Sequence, residues 1–175
     1  MKTRMTRLLS AIAAWAAPLS VYADPTARQS FMVHVPPRIS ITAPPVAARA
    51  TLLPDQTQVQ FTPQAWDIVA NSPSGATVQF VTEHSFHNQD DSSIRRDAQL
   101  ELQVMSQSQF GAWTVTQSQA VTAHQVGDES ATVQVHTIKP GSAVLGLTVT
   151  FLQGDELSTP GGDYLMTIVG TITSN

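Results

Sequence analysis

The chain has 175 residues, 42% of them hydrophobic and 13% charged, with 9 basic against 13 acidic side chains and no cysteine. That composition excludes disulfides, thiolate metal sites and lipid attachment through a cysteine, so the fold must rest on packing and hydrogen bonding alone. The acidic balance argues against nucleic-acid binding, because the Arg95-Arg96 pair is flanked by Asp90, Asp91 and Asp97 and no basic patch forms elsewhere.

In chain order, Lys2, Arg4 and Arg7 come first, followed by the apolar run 8–17, then Pro18, then Val21-Tyr22-Ala23. A positive flank, a short apolar core and small residues before a cleavage point predict a signal peptide over 1–23, cut between Ala23 and Asp24. Ten residues of helix rise only about 15 Å, roughly half the bilayer core, so this segment is too short to span as an anchor. The expected mature chain is one domain over 24–175, and no later apolar run is long enough to cross a membrane as a helix. Losing three of the nine basic residues leaves six against thirteen acidic ones, a net charge of −7. The expected location is secreted, periplasmic or at a bacterial cell surface.

Two-residue alternation dominates the rest. Phe31, Val33 and Val35 share one phase and predict a first strand, resumed by Ile39 and Ile41 after Pro36-Pro37. The prolines at 36, 37, 44, 45 and 54 predict edge strand or extended crossover, since proline cannot donate to a ladder. Val59 and Phe61 follow, then Trp66 and Ile68, then the turn Asn71-Ser72-Pro73-Ser74-Gly75, then Val78 and Phe80. Residues 92–99 are consistent with one or two helical turns. Beyond them the same rhythm recurs at Leu100, Leu102 and Val104, at Trp113 and Val115, and at Val133 and Val135. The longest runs close the sequence: Ala143, Leu145, Leu147, Val149 and Phe151, then Tyr164, Met166, Ile168 and Ile172. Alternation with one apolar and one polar face is the signature of antiparallel strands wet on one side. Turn residues recur between the runs at Gly127-Asp128, Lys139-Pro140-Gly141 and Pro160-Gly161-Gly162-Asp163. The expected fold is an all-β antiparallel sandwich of about nine strands, immunoglobulin-like or jelly-roll-like.

Candidate chemistry is sparse. Glu83 to Asp91 is the densest polar stretch, and His84, His87 and Asp90 or Asp91 are weak candidates for a divalent metal. H-x-x-H spacing puts two imidazoles on one side of a helix, whereas this stretch follows a strand, so a solvated loop is the expectation. Ser85 beside these histidines has no nucleophile-elbow context. His34, His124 and His136 are expected singly on strands at polar positions, and Asp128-Glu129 and Asp155-Glu156 in solvated turns. Trp66 and Trp113 are expected in the core, with a ligand platform as the functional alternative.

Three segments carry a resemblance: FMVHVPPRISITAPP, the Trp66 strand running into NSPSGATVQF, and the ending GGDYLMTIVGTITSN. Together they resemble secreted bacterial β-sandwich surface proteins, and the closing segment is similar to the last strand of pilin-like and spore-coat-like modules. The Trp66 and Trp113 strands are loosely similar to WxL-type cell-wall modules, with Ile68 and Val115 where that signature has leucine. The resemblance implies a surface sandwich with a role in adhesion or assembly, and it carries no active site, cofactor or metal. The expected function is a non-enzymatic exported module for adhesion, polymer binding or assembly with like subunits. An exported metal-dependent enzyme or a carbohydrate-binding module is the alternative. If the final strand lies at a sheet edge, it can accept a neighbour's strand; otherwise it pairs internally with the first.

Overall fold

A computed structural model describes residues 27–109, 111–154 and 159–175; the expected signal peptide, its cleavage point and the Asp155-Glu156 pair lie outside these. The chain divides into two units, 1–34 and 35–175. In the first, the described residues 27–34 form neither strand nor helix and are exposed.

The second unit is nearly all strand. Its strands are β1 (Ile39–Thr42), β2 (Gln58–Gln60), β3 (Gln64–Ala70), β4 (Ala76–Thr82), β5 (Phe86–Asn88) and β6 (Arg95–Gln107). They continue with β7 (Thr114–Gln117), β8 (Gln119–Val121), β9 (Thr132–Thr137), β10 (Gly141–Leu152), β11 (Tyr164–Leu165) and β12 (Ile168–Ser174). A single 3-10 turn, His124–Val126, is the only helical element among the described residues. All pairings are antiparallel and fall into two sheets. The larger runs β1-β3-β10-β6-β5-β11, with β2 also on β10 and β8 also on β6; the smaller runs β12-β4-β9-β7.

The inward phase of each long strand fills the space between the sheets. Ile68, Val78, Phe80, Leu100, Val133, Val135, Leu145 and Leu147 are essentially removed from solvent, each worth about 1.5–3 kcal/mol of transfer free energy. Trp66 meets Phe80 edge-on across the sheets at 5.0 Å. The architecture is therefore an all-β, sandwich-like fold, with twelve strands rather than about nine among the described residues. The additional strands β5, β8 and β11 have three residues or fewer, too short to establish an alternation.

Two expectations are corrected. Phe31–Val35 is not a strand: it lies outside every ladder with its side chains in solvent. The first ladder begins at Ile39, where the Asn71 side chain clasps the entering chain. Its Nδ2 donates to the Pro36 carbonyl at 3.1 Å and its Oδ1 accepts from the Arg38 N–H. Nor does 92–99 form helix; Ser92 and Ser93 turn, and β6 starts at Arg95.

One feature of the topology creates a corner. β4 pairs with β12 in the small sheet, and their continuations β5 and β11 pair with each other in the large one. The two-stranded ribbon thus changes sheet at a bend over 83–85, a recurrent way of turning a sandwich corner. The ladder carries through the bend, with the Glu83 N–H donating to the Thr167 carbonyl at 3.0 Å. Phe86 plugs the corner from inside, stacked on Phe61 and edge-on to Phe151, which meets Tyr164 in turn.

Candidate functional site

The bend brings His84 and His87 together. Their rings lie 4.5 Å apart at 77°, and the two Nδ1 atoms are 3.4 Å apart. His84 Nδ1 also lies 2.8 Å from the Ser85 carbonyl oxygen. Helical spacing is not needed for this contact. A strand would place residues three apart on opposite faces, but the reversal at 83–85 turns His84 back over His87. Partial burial lowers the His87 pKa, and the neighbouring His84 and the Arg95 guanidinium lower it further. All three causes favour the neutral ring.

Of the two candidate aspartates, Asp91 has its carboxylate engaged elsewhere and Asp90 gives its backbone N–H to the turn. Asn88, buried on β5, accepts through Oδ1 from the N–H groups of Asp90 at 2.9 Å and Asp91 at 3.3 Å. Asp91 Oδ1 accepts from the Ser93 hydroxyl at 2.6 Å and the Ser93 N–H at 3.0 Å, which together hold its carboxyl below the usual range. Asp90 and Asp91 therefore build the turn into β6 and do not join the imidazoles. Among the described residues, no three histidine, aspartate or glutamate side chains converge as a metal site. Ser85 Oγ is buried without a hydrogen-bond partner, and neither histidine engages it.

Two further polar clusters arise from strand pairing and were not legible from spacing. Arg95, opposite His87 in the ladder, forms an ion pair with Glu129, so Glu129 is not simply a solvated turn residue. Glu129 is held by Thr82, whose hydroxyl donates to the Glu129 carbonyl at 3.2 Å and accepts from the Ala131 N–H at 2.9 Å. The second cluster centres on Asp97. Its Oδ1 accepts from the Thr122 hydroxyl at 3.0 Å and the His124 N–H at 2.8 Å, and lies 2.9 Å from His124 Nδ1. The hydroxyl donates directly to the carboxylate rather than to the imidazole, so this is not a nucleophile–base–acid relay. His124 sits in the 3-10 turn and His34 outside any strand; of the three single histidines, His136 alone is on a strand.

Trp113 is buried in the core, its main-chain N–H donating to Gln107 Oε1 at 2.7 Å. Trp66 is partly exposed but turned inward against Phe80. A platform needs a ring face in solvent, which Trp113 lacks. On the large sheet, an open groove of about 710 Å³ lies between Val69, Asn71, Ser108, Lys139 and Ser142. Among the described residues that line it, Lys139 is the one titratable side chain, and these gather no set for acid–base chemistry.

No helix among the described residues is long and apolar enough to cross a membrane. Comparison with known proteins finds no matching family model, no matching curated protein and no matching solved structure.

Proposed function

We propose that this chain is an exported, non-enzymatic surface or extracellular module that assembles with copies of itself by strand addition. The observation that supports this most is the state of the β12 edge. The Thr167 carbonyl and the Asn175 N–H both face β4, bonding to Glu83 and Gly75. The ladder alternates, so the backbone groups of Ile168, Gly170, Ile172 and Ser174 point away from the sheet. No described residue pairs with them.

Other lateral strands are protected in the ways sheets commonly use against edge-to-edge pairing. β1 has four residues between Pro36-Pro37 and Pro44-Pro45, β11 has two, and β7 has four with a register shift between Val115 and Gln117. β12 has seven residues, with no charge, no proline and no bulge.

A segment suited to such an edge is also available. Phe31, Met32, Val33 and Val35 are 85, 94, 85 and 72% exposed, an apolar alternating stretch with no ladder of its own. Cleavage after Ala23 would leave it close to a mature N-terminus.

The test is sedimentation velocity of the purified chain over a range of concentrations. Wild type forms oligomers or filaments, whereas Val169→Lys with Thr171→Lys stays monomeric. Both of these positions are on the solvent face of β12, so charge is added at the edge without touching the core. A monomer at every concentration, or variants that assemble like wild type, would refute the proposal. N-terminal sequencing of protein recovered outside the cytoplasm tests export, with Asp24 expected first.

A further inference from the structure

At the corner over 83–85, His84 Nδ1 lies close to two other potential metal ligands, the Ser85 carbonyl oxygen and His87 Nδ1. We propose that His84 Nδ1, His87 Nδ1 and the Ser85 carbonyl oxygen form a binding site for one divalent transition ion of the Cu(II) class.

Donors about 2.0 Å from one ion lie about 2.8 Å apart at a right angle and about 3.3 Å apart at the tetrahedral angle. The observed separations from His84 Nδ1, 2.8 Å to the Ser85 oxygen and 3.4 Å to His87 Nδ1, are close to these limits. The two contacts made by His84 Nδ1 thus already have separations that ligands of one shared ion would have. The backbone carrying the donors is fixed on both sides. Glu83 continues the ladder to Thr167, and His87 is paired with both Arg95 and Leu165.

His84 Nδ1 carries a proton when it donates to the Ser85 oxygen. Binding an ion at that nitrogen requires the other neutral tautomer, with the ring proton on Nε2. The Arg95 charge next to His87 opposes a cation, but it is offset by the ion pair with Glu129.

The donor set selects the ion. Structural zinc sites use four side-chain donors, commonly thiolates and imidazoles, and this corner has two imidazoles and a carbonyl. Two nitrogens with oxygen and water completing a tetragonal shell suit Cu(II), which also stands highest in the divalent affinity order. Asp91 has no part, its carboxylate being held by Ser93, and among the described residues neither aspartate joins the imidazoles as a third side-chain ligand.

The test is Cu(II) titration of the untagged full chain by calorimetry, together with electron paramagnetic resonance. One equivalent binds, with hyperfine coupling from two imidazole nitrogens. His84→Ala and His87→Ala each weaken binding by about tenfold or more, and the double variant loses the one-per-chain site. Asp90→Asn with Asp91→Asn binds like wild type, as does His124→Ala. Circular dichroism of the apo variants shows that they remain folded, and Cu(II) raises the melting temperature of wild type but not of the double variant. Absence of saturable binding would overturn the proposal. So would stoichiometric binding that survives in the double histidine variant or disappears in the aspartate variant.

Discussion

Gly75 and Gly127 offer a matched pair in which backbone strain and steric space can be separated. Both are in the left-handed region, at φ 83° and 84°. An alanine at either carries the penalty of that conformation for an L-residue, about 1–2 kcal/mol. At Gly127 that is the whole effect, because nothing lies within 4 Å of an added Cβ. At Gly75 the added Cβ would come within 2.5 Å of the Thr137 carbonyl carbon and 2.7 Å of Ile138 Cα, and closer still to the Thr137 oxygen. These are backbone atoms and cannot rotate aside, so the ends of β4 and β9 must separate. The bonds lost with them include Gly75 N–H to Ser72 O at 3.0 Å, Asn175 N–H to Gly75 O at 3.2 Å and Asn175 Nδ2 to Thr137 O at 3.1 Å. At about 1 kcal/mol net for each of these three bonds, Gly75→Ala costs about 4–5 kcal/mol against about 1–2 for Gly127→Ala. Urea unfolding followed by tryptophan fluorescence measures both. The difference of about 3 kcal/mol corresponds to about 6–12 °C in Tm for a chain of this size. If the two substitutions agree within about 0.5 kcal/mol, the steric reasoning is wrong.

Thr82→Val keeps the shape of a buried side chain but removes the acceptor for the Ala131 N–H and the donor to Glu129 O. A loss of about 1–3 kcal/mol in urea unfolding is expected, and stability equal to wild type would show that this hydroxyl bridge contributes nothing. His87 has a folded pKa below its usual 6.5, so the unfolded chain takes up the proton first as pH falls. Its contribution is complete above the unfolded value, declines as pH drops from there through the folded value, and is constant below. Unfolding midpoints measured from neutral pH downward should therefore fall less steeply in His87→Gln than in wild type. Asp91 has linkage of the same sign, in the carboxylate range: its lowered pKa stabilises the fold above the unfolded value and the effect is lost as pH falls through the folded one. Ser93→Ala should move the Asp91 carboxyl titration up toward the ordinary range in carbon-detected NMR, and an unmoved titration would rule out the Ser93 bonds as its cause.

Alternation made most of the core legible. Val78 and Phe80, Leu100 and Leu102, Val133 and Val135, and Ala143 through Phe151 are all buried as their phase predicts. Period two specifies which side chains share a face, but it does not specify that a strand has a partner. Phe31, Val33 and Val35 satisfy the period and remain outside any ladder. Their separation from β1 comes from Pro36-Pro37 and from Asn71, more than thirty residues away. Register irregularity is hidden in the same way. Between β10 and β6 the pairing shifts, so Leu145 faces Val104 while Val144 faces Ser106, and Met105 is left over. Its thioether covers Gly146, where an added Cβ would lie 3.0 Å from the sulfur. The Asp97–Thr122–His124 cluster likewise depends on β8 and the following turn packing beside β6, a long-range pairing with no local signal.

The imidazole pair was obscured for a related reason. Along an unbroken strand, residues one apart and three apart face opposite sides, and only even separations bring side chains to one face. An H-x-x-H sequence beside a strand therefore suggests two unrelated histidines unless the strand bends between them. The bend here follows from the topology. The β4–β12 ribbon belongs to one sheet and the β5–β11 ribbon to the other, so the chain has to turn between Thr82 and Phe86. Phe86 fixes the turn by inserting between Phe61 and Phe151, and this sets the height at which His87 leaves the sheet and His84 folds back over it. The contact between the imidazoles is thus a by-product of how the sandwich closes its corner. Where a ribbon changes sheets the two-residue rhythm lapses, and polar side chains that it would otherwise keep apart can converge.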